Sequence, residues 1–139
     1  MAVPALSPAP AFLDTNVLVR HLTGDPPAMA AAATRYLSSA SILIVPDVIV
    51  AELCYVLESV YERPRAEVAG TLRSLLAMPA VQVLEQELLH RAVEIYEHDR
   101  LDFAEAYLVA SAERSGIGAV VSFDRTIDRV ATVRRIEPR

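Results

Sequence analysis

Four acidic residues lie where apolar segments of the chain start, end or are interrupted, and these are the side chains best suited to chemistry. Asp14 and Asp124 each follow a short apolar run, Glu52 interrupts an apolar helical pattern, and Glu105 lies near the front of another. In open α/β sheets, chemistry collects at the carboxyl ends of parallel strands, where Asp14 and Asp124 are expected to lie. Four carboxylates brought to one point imply a divalent metal ion.

The donor atoms of this set favour a hard cation. Carboxylate oxygens suit Mg²⁺ or Mn²⁺ rather than zinc. Such a site lowers the pKa of bound water, orients that water against a phosphodiester and stabilises the leaving oxygen, without a covalent enzyme intermediate. The sequence therefore predicts metal-dependent hydrolysis of phosphodiester bonds.

Asp14 and Glu52 also have ordinary structural interpretations. An Asp at a strand end is commonly a helix N-cap, but Thr15 is itself a good cap and would leave Asp14 free. Thr15 and Asn16 add two polar side chains at the same corner. Glu52 could be a surface carboxylate paired with a nearby arginine, Arg63 or Arg65. Its neighbours are all apolar, however, and a buried carboxylate needs a positive partner, which a metal-binding cleft provides.

The third and fourth carboxylates have neighbours that compete for their roles. Asp102 lies one turn before Glu105, and acidic side chains are favoured in the first turn of a helix. We assign the capping or supporting role to Asp102 and the ligand role to Glu105. Asp124 could be a turn residue paired with Arg125, and Asp128 competes with it for the metal.

The elements that would position these residues alternate along the chain. Short apolar runs predict strands near 11–14, 41–45, 81–84, 119–122 and 132–136. Longer patterns predict helices at 15–22, 27–38, 46–61, 65–77, 87–97 and 103–115. This alternation predicts an α/β fold, and the continuously apolar strands suit a parallel sheet covered on both faces.

The third and fourth predicted helices form an apolar hairpin. Both carry more apolar positions than one buried face requires, which predicts a subunit or partner interface. The Pro/Ala-rich segment 1–11 is expected to be a flexible leader, and 12–139 a single domain.

Composition excludes several classes of function. The lone Cys54 cannot form an internal disulfide and has no metal-site spacing around it, as expected of a cytoplasmic protein. With 4 glycines and no Walker or dinucleotide motif, a phosphate-cradling loop cannot be built. No apolar run is long enough for a membrane span. The net charge of −5 is the wrong sign for bulk attraction to nucleic acid. Phosphate binding would therefore rely on the metal and on locally placed arginines, which are otherwise ordinary solvated side chains: Arg20, Arg35, Arg63, Arg65 and Arg73.

Four blocks of the sequence, in order, resemble the motifs of PIN-domain ribonucleases, and most closely the VapC toxins of prokaryotic toxin–antitoxin pairs. The blocks contain Asp14, Glu52, Glu105 and Asp124. The resemblance extends from Phe12 to about residue 136. It implies a three-layer α/β/α fold with a mainly parallel central sheet and an acidic cleft that holds Mg²⁺ or Mn²⁺.

The same resemblance implies metal-dependent cleavage of RNA, usually by a homodimer that a cognate antitoxin neutralises. Position by position, the four carboxylates would be the metal ligands, with Asn16 and Ser122 as polar supports. The chain departs from the family at the third position, where Glu105 replaces the usual Asp, and Asp102 could take over part of the coordination. The antitoxin usually inserts a tail into the cleft, often with an Arg, for which a carboxylate cluster is a natural receptor.

Three functions follow from these patterns. The leading hypothesis is a toxin endoribonuclease in which Asp14, Glu105 and Asp124 hold the metal while Glu52 binds it or orients the attacking water. The Glu105 departure favours a second hypothesis, a PIN-like binding module without activity. A DNA nuclease or phosphatase with the same cleft is the third and differs only in substrate.

Overall fold

A computed structural model of the chain describes residues 9–139, so most of the predicted leader, 1–8, lies outside the described residues. The helices are α1 (Thr15–Thr23), α2 (Pro27–Ser39), α3 (Asp47–Ser59), α4 (Arg65–Ala77), α5 (Gln86–Glu94) and α6 (Phe103–Ser115). The strands are β1 (Ala11–Phe12), β2 (Leu43–Ile44), β3 (Val81–Gln82), β4 (Ala119–Val121) and β5 (Arg134–Ile136). A π-helical segment, Ile95–Asp99, follows α5, and a 3₁₀ helix, Arg125–Arg129, follows β4.

All strand pairs in the described part of the chain are parallel, which confirms the predicted α/β class. One sheet has the order β1-β2-β3, and β4 pairs with β5 in a second sheet. Ala11 is the first residue of β1, where it lies opposite Leu43, so Ala11 belongs to the sheet and not to the predicted leader. The strands are shorter than predicted, and Phe12 is 74% exposed, so the expectation of strands covered on both faces is wrong for β1.

Local sequence signals set the helix limits. Gly24 ends α1 in the left-handed region (φ 72°), where its N–H donates to the Arg20 carbonyl, because glycine adopts this conformation without steric cost. Gly116 ends α6 in the same way (φ 78°). Pro27 begins α2, as expected for a residue whose missing N–H is not needed in the first turn.

The core includes every large apolar residue of α4, and this corrects the predicted apolar hairpin. Val68, Leu72, Leu75 and Leu76 are all at most 4% exposed, and burying each stabilises the fold by roughly 1.5–3 kcal/mol. α4 therefore leaves no large apolar surface for a partner, and of the two hairpin helices α3 alone has large apolar side chains that are exposed, Val48 and Tyr55. No helix in residues 9–139 is long and apolar enough to cross a membrane.

A bidentate ion pair joins α5 to α6 and should make stability depend on pH. Arg91 donates to both carboxylate oxygens of Glu113, each at 2.8 Å, and the guanidinium lowers the pKa of that carboxyl. A lowered folded-state pKa stabilises the fold above the ordinary Glu pKa of about 4.3, and this contribution is lost as the pH falls through the folded-state value.

We expect Glu113→Gln to lower the free energy of unfolding by about 1.5–3 kcal/mol at pH 7, because it removes a charge-assisted pair. The difference from the wild type should shrink towards pH 3. Urea unfolding at both pH values measures it, and a difference independent of pH would contradict the role of the pair.

Candidate active site

The structure brings Asp14 and Glu52 to one corner through Thr15. Asp14 follows β1 and is the N-cap residue of α1, where its Oδ1 accepts a hydrogen bond from the Thr15 backbone N–H at 2.9 Å. Thr15 is 2% exposed, and its hydroxyl donates to Glu52 Oε2 on α3 at 2.9 Å. One buried hydroxyl thus connects the elements that carry the first two predicted carboxylates.

The prediction that Thr15 caps α1 and leaves Asp14 free is wrong. Asp14 occupies the cap position itself, where a carboxylate is stabilised by the first backbone N–H groups of the helix. Thr15 is the first helical residue, and its role as a link to α3 was not predicted. No local pattern pairs residues 15 and 52, because their contact depends on how α1 packs against α3. Asn16 is exposed in the same first turn.

The ordinary interpretation of Glu52 as the partner of an arginine is also wrong. Arg63 pairs with Glu67 on α4, while Arg65 donates to two backbone carbonyls. Glu52 is exposed, so the argument from the cost of a buried charge does not apply to it. Its position beside Asp14 rests on the Thr15 hydroxyl instead.

Glu105 lies among negative charges at the start of α6. Burial raises the pKa of its carboxyl above the ordinary value, and the charges of Asp102 and Asp124 raise it further. Asp102 occupies the N-cap position of α6, but its side chain makes no capping hydrogen bond. The predicted capping role of Asp102 is therefore wrong, and it acts on Glu105 as a neighbouring charge.

Asp124 is held at the end of β4 by two local hydrogen bonds. Its backbone N–H donates to Ser122 Oγ, and its Oδ1 accepts from the Thr126 N–H, both at 2.9 Å. The bonds from Thr126 lower the pKa of the Asp124 carboxyl, and the charges of Arg129 and Arg135 lower it further. The carboxylate therefore stays ionised at neutral pH. The ordinary interpretation is right about the turn, because Asp124 caps the 3₁₀ helix, but the cations that act on it are Arg129 and Arg135 rather than Arg125.

Asp128 does not compete with Asp124 for the site, because an arginine already holds it. Arg135 donates from Nε to Asp128 Oδ1 at 3.0 Å and from Nη2 to Oδ2 at 3.2 Å. Its Nη1 also donates to the Ser122 carbonyl at 3.0 Å. Arg135 on β5 thus fastens the end of β4 beside Asp124.

Two sets of interactions link the acidic residues in the described part of the chain. Asp14 and Glu52 share the Thr15 corner, while Asp102, Glu105 and Asp124 interact electrostatically. Within residues 9–139, no three His, Cys, Asp or Glu side chains are spaced as a ready metal-binding group. The donor atoms of these residues are all carboxylate oxygens, which suit a hard divalent cation. Burial raises the Glu105 pKa most, and a cation would offset the smaller contribution that the charges of Asp102 and Asp124 make.

Cys54 plays no part in this chemistry. The thiol is buried on α3, and burial raises its pKa to about 12. A thiol with that pKa stays protonated at neutral pH and is a poor nucleophile and metal ligand.

We expect Thr15→Val to lower the free energy of unfolding by about 1 kcal/mol, because it removes one hydrogen bond with little change in shape. Thr15→Ser keeps the hydroxyl and is the matched control for its contact with Glu52. Chemical denaturation of the three proteins measures the effect. A Val variant as stable as the wild type would show that the bond to Glu52 contributes nothing to the fold.

Comparison with known proteins assigns the family. The model of the PIN domain matches residues 11–133. A VapC ribonuclease from Aquifex aeolicus (strain VF5) is 25% identical over 122 residues, which cover 86% of this chain and 90% of that protein. The crystal structure of VapBC2 from Rickettsia felis bound to a DNA fragment from their promoter aligns with 94% of this chain and 100% of that one, at 12% identity and a TM-score of 0.37. Because the PIN domain match covers nearly the whole chain, from β1 to the residue before β5, the protein belongs to the PIN domain family.

Proposed function

We propose that this PIN domain is a metal-dependent endoribonuclease that acts in the cytoplasm as the toxin of a toxin–antitoxin pair. The observation that carries the proposal is the placement of Asp14 and Asp124 at the ends of β1 and β4, with Glu52 and Glu105 on α3 and α6 beside them. The similarity to a VapC ribonuclease supports RNA as the substrate.

Each carboxylate has a role in this proposal. Asp14, Glu105 and Asp124 would hold Mg²⁺ or Mn²⁺, and Asp102 can share the third position. Glu52, oriented by the Thr15 hydroxyl, binds the same ion or orients the attacking water. When bound, the metal would supply an activated water and would offset the negative charge that develops on the phosphate. Because hydrogen bonds keep Asp124 ionised, it is ready to bind the cation without losing a proton.

Contact with RNA should depend on the metal more than on arginines. The protein carries a net charge of −5, which opposes the approach of a polyanion. Three arginines that the sequence offered as RNA contacts are engaged within the protein: Arg63 and Arg73 pair with glutamates, and Arg65 donates to carbonyls. A cation bound by the carboxylates would present local positive charge to a phosphate.

A groove beside Asp14 supports an antitoxin as the protein partner. The groove has a volume of about 560 Å³ between α1 and α2, with an apolar wall that includes Val17, Met29 and Tyr36 and a rim that includes Asp14. Met29 and Tyr36 are 54% and 42% exposed. A partner segment with apolar side chains for the wall and an Arg for the carboxylate would fit it and block the acidic site.

We also propose a homodimer, with an interface formed by the exposed apolar residues of α3 and α6. Val48 and Tyr55 on α3 are 69% and 66% exposed, and Leu108 on α6 is 48% exposed. These two helices contact each other, so the three side chains can form one patch. Sedimentation of the wild type and of Tyr55→Glu would test the interface, since a charge at its centre should yield a monomer.

Cleavage of labelled RNA by protein freed of any antitoxin tests the proposed function. The substrates are a total-RNA pool, single-stranded DNA and a simple phosphate ester, each with Mg²⁺, with Mn²⁺ and with EDTA. Discrete RNA fragments that require metal would support the endoribonuclease. Cleavage of DNA or of the ester instead would change the substrate class, and no cleavage under any metal would favour the binding module.

A further inference from the structure

The segment that leads into α6 combines a π-helical turn with a left-handed residue, a conformation that its own side chains do not favour. The π-helical segment Ile95–Asp99 ends at Arg100, which adopts the left-handed conformation (φ 60°, ψ 38°). Leu101 is fully buried, and Asp102 then occupies the N-cap position of α6. A residue with a side chain is disfavoured in the left-handed region, so neighbouring groups must hold this turn. We define residues 96–102 as the lead-in turn.

Arg65, the first residue of α4, holds the lead-in turn from one side. Its Nη1 donates to the Tyr96 carbonyl at 2.8 Å and to the Leu101 carbonyl at 2.7 Å. Carbonyls at the end of a helix lack intrahelical donors, so a cationic side chain that reaches them stabilises that end. The two carbonyls lie on either side of Arg100 in the sequence. Arg65 therefore bridges the two ends of the turn.

The Arg65 guanidinium is itself fixed by packing. It lies 4.5 Å from the centroid of the Tyr96 ring, a cation–π arrangement. Tyr96 is fully buried and donates its hydroxyl hydrogen to Glu58 on α3. The Tyr96 ring also meets Phe103, the first residue of α6, edge to face at 6.3 Å. Arg65 thus belongs to a packed unit that includes the start of α6.

Arg129 holds the same turn from the other side. Its Nη1 donates to the Arg100 carbonyl at 3.0 Å and to the Asp99 carbonyl at 3.4 Å. Arg129 is the last residue of the 3₁₀ helix that Asp124 caps. The lead-in turn is consequently fastened both to α4 and to the segment that carries Asp124.

We propose that Arg65 is a positioning residue for the acidic site, because it fixes the lead-in turn and with it the placement of Asp102 and Glu105 relative to Asp124. The inference rests on the proposed metal-dependent function. Arg65 touches none of these carboxylates and acts only through the backbone of the turn. Arg129 performs the same task from the side of Asp124.

Three variants test the proposal. Arg65→Gln removes the charge and shortens the side chain, and Arg65→Lys keeps the charge but loses the planar group that stacks on Tyr96. Arg73→Lys is the matched control, because Arg73 lies on the same helix and contacts the lead-in turn only through the Glu97 carboxylate, at 2.7 Å. It donates to none of the backbone carbonyls that Arg65 holds. If Arg65→Gln does not fold, Arg129→Gln, at an exposed residue, removes the other side chain that donates to the carbonyls of this turn.

Two readouts separate positioning from general stability. Hydrogen exchange of the metal-free proteins reports on residues 99–106, including the Ala106 N–H that donates to the Asp102 carbonyl. Titration with Mn²⁺ reports on the acidic site without RNA. We expect Arg65→Gln to exchange faster in 99–106 and to bind Mn²⁺ roughly tenfold more weakly, with an intermediate effect for Arg65→Lys and wild-type behaviour for Arg73→Lys.

The cleavage kinetics should show a lower kcat with an unchanged KM for RNA in Arg65→Gln. Wild-type exchange in 99–106, or unchanged Mn²⁺ affinity in a folded variant with a loosened turn, would overturn the proposal. If the wild type itself binds no Mn²⁺ and cleaves no RNA, the proposed function fails and the positioning role fails with it. In that event the exchange experiment still shows whether Arg65 holds the turn.

Discussion

Asp14→Asn should reduce RNA cleavage by roughly 10²–10³-fold while the protein remains folded. The loss corresponds to about 3–4 kcal/mol of transition-state stabilisation, the scale expected when a metal ligand is removed. Folding should survive because Asn caps a helix about as well as Asp, and the cap of α1 is the structural role of this residue. Initial rates on a labelled RNA fragment and thermal unfolding measure the two effects.

Asp25→Asn is the control for Asp14→Asn. Asp25 is exposed in the loop after α1, so its charge is removed with little expected effect on cleavage. If Asp14→Asn cleaved RNA at the wild-type rate, this carboxylate would not be part of the active site. A large drop in stability would instead show that the loss of cleavage comes from the loss of the α1 helix cap.

Glu105→Gln should have the second largest effect, with cleavage reduced about 100-fold. Glu105 is half-buried, and burial together with Asp102 and Asp124 raises the pKa of its carboxyl. The ionised form of Glu105 would be strongly stabilised by a bound cation, because the cation offsets the repulsion from Asp102 and Asp124. Asp102 is exposed, so Asp102→Asn should reduce cleavage less.

The comparison of these two variants decides which residue is the third ligand. Asp128→Asn is the control, because Asp128 is a nearby carboxylate that Arg135 already holds. Cleavage and Mn²⁺ affinity are measured for all three. If Asp102→Asn is the more damaging substitution, Asp102 is the ligand, and the longer Glu105 side chain has a supporting role.

Much of the fold could be predicted because its limits depend on local chemistry. The starts of α2, α4 and α6 coincide with the predicted ones, where Pro27 begins a helix and Pro64 precedes another. Glycine marks the ends of α1 and α6. Asp14 and Asp124 follow β1 and β4 as expected, because a short apolar run that ends in a carboxylate can be recognised from the sequence alone.

The contacts between elements could not be predicted, because they depend on packing over long separations. Thr15 looked like a cap, yet its hydroxyl lies against Glu52. Arg65 looked like a solvated arginine, yet it donates to carbonyls more than 30 residues away. The apolar surplus of α4 looked like an interface, yet the core buries it. Each error came from a residue whose partner is distant in sequence.

We propose that three carboxylates act together on one metal ion: Asp14 after β1, Glu105 on α6 and Asp124 after β4. A crystal grown with Mn²⁺, with data collected at the manganese absorption edge, tests this claim most directly. We predict an anomalous peak bound by oxygens of Asp14, Glu105 and Asp124, with Glu52 bound to the same ion or to a water that the ion holds. A peak bound by other residues, or no peak in a protein that cleaves RNA only with Mn²⁺, would contradict it.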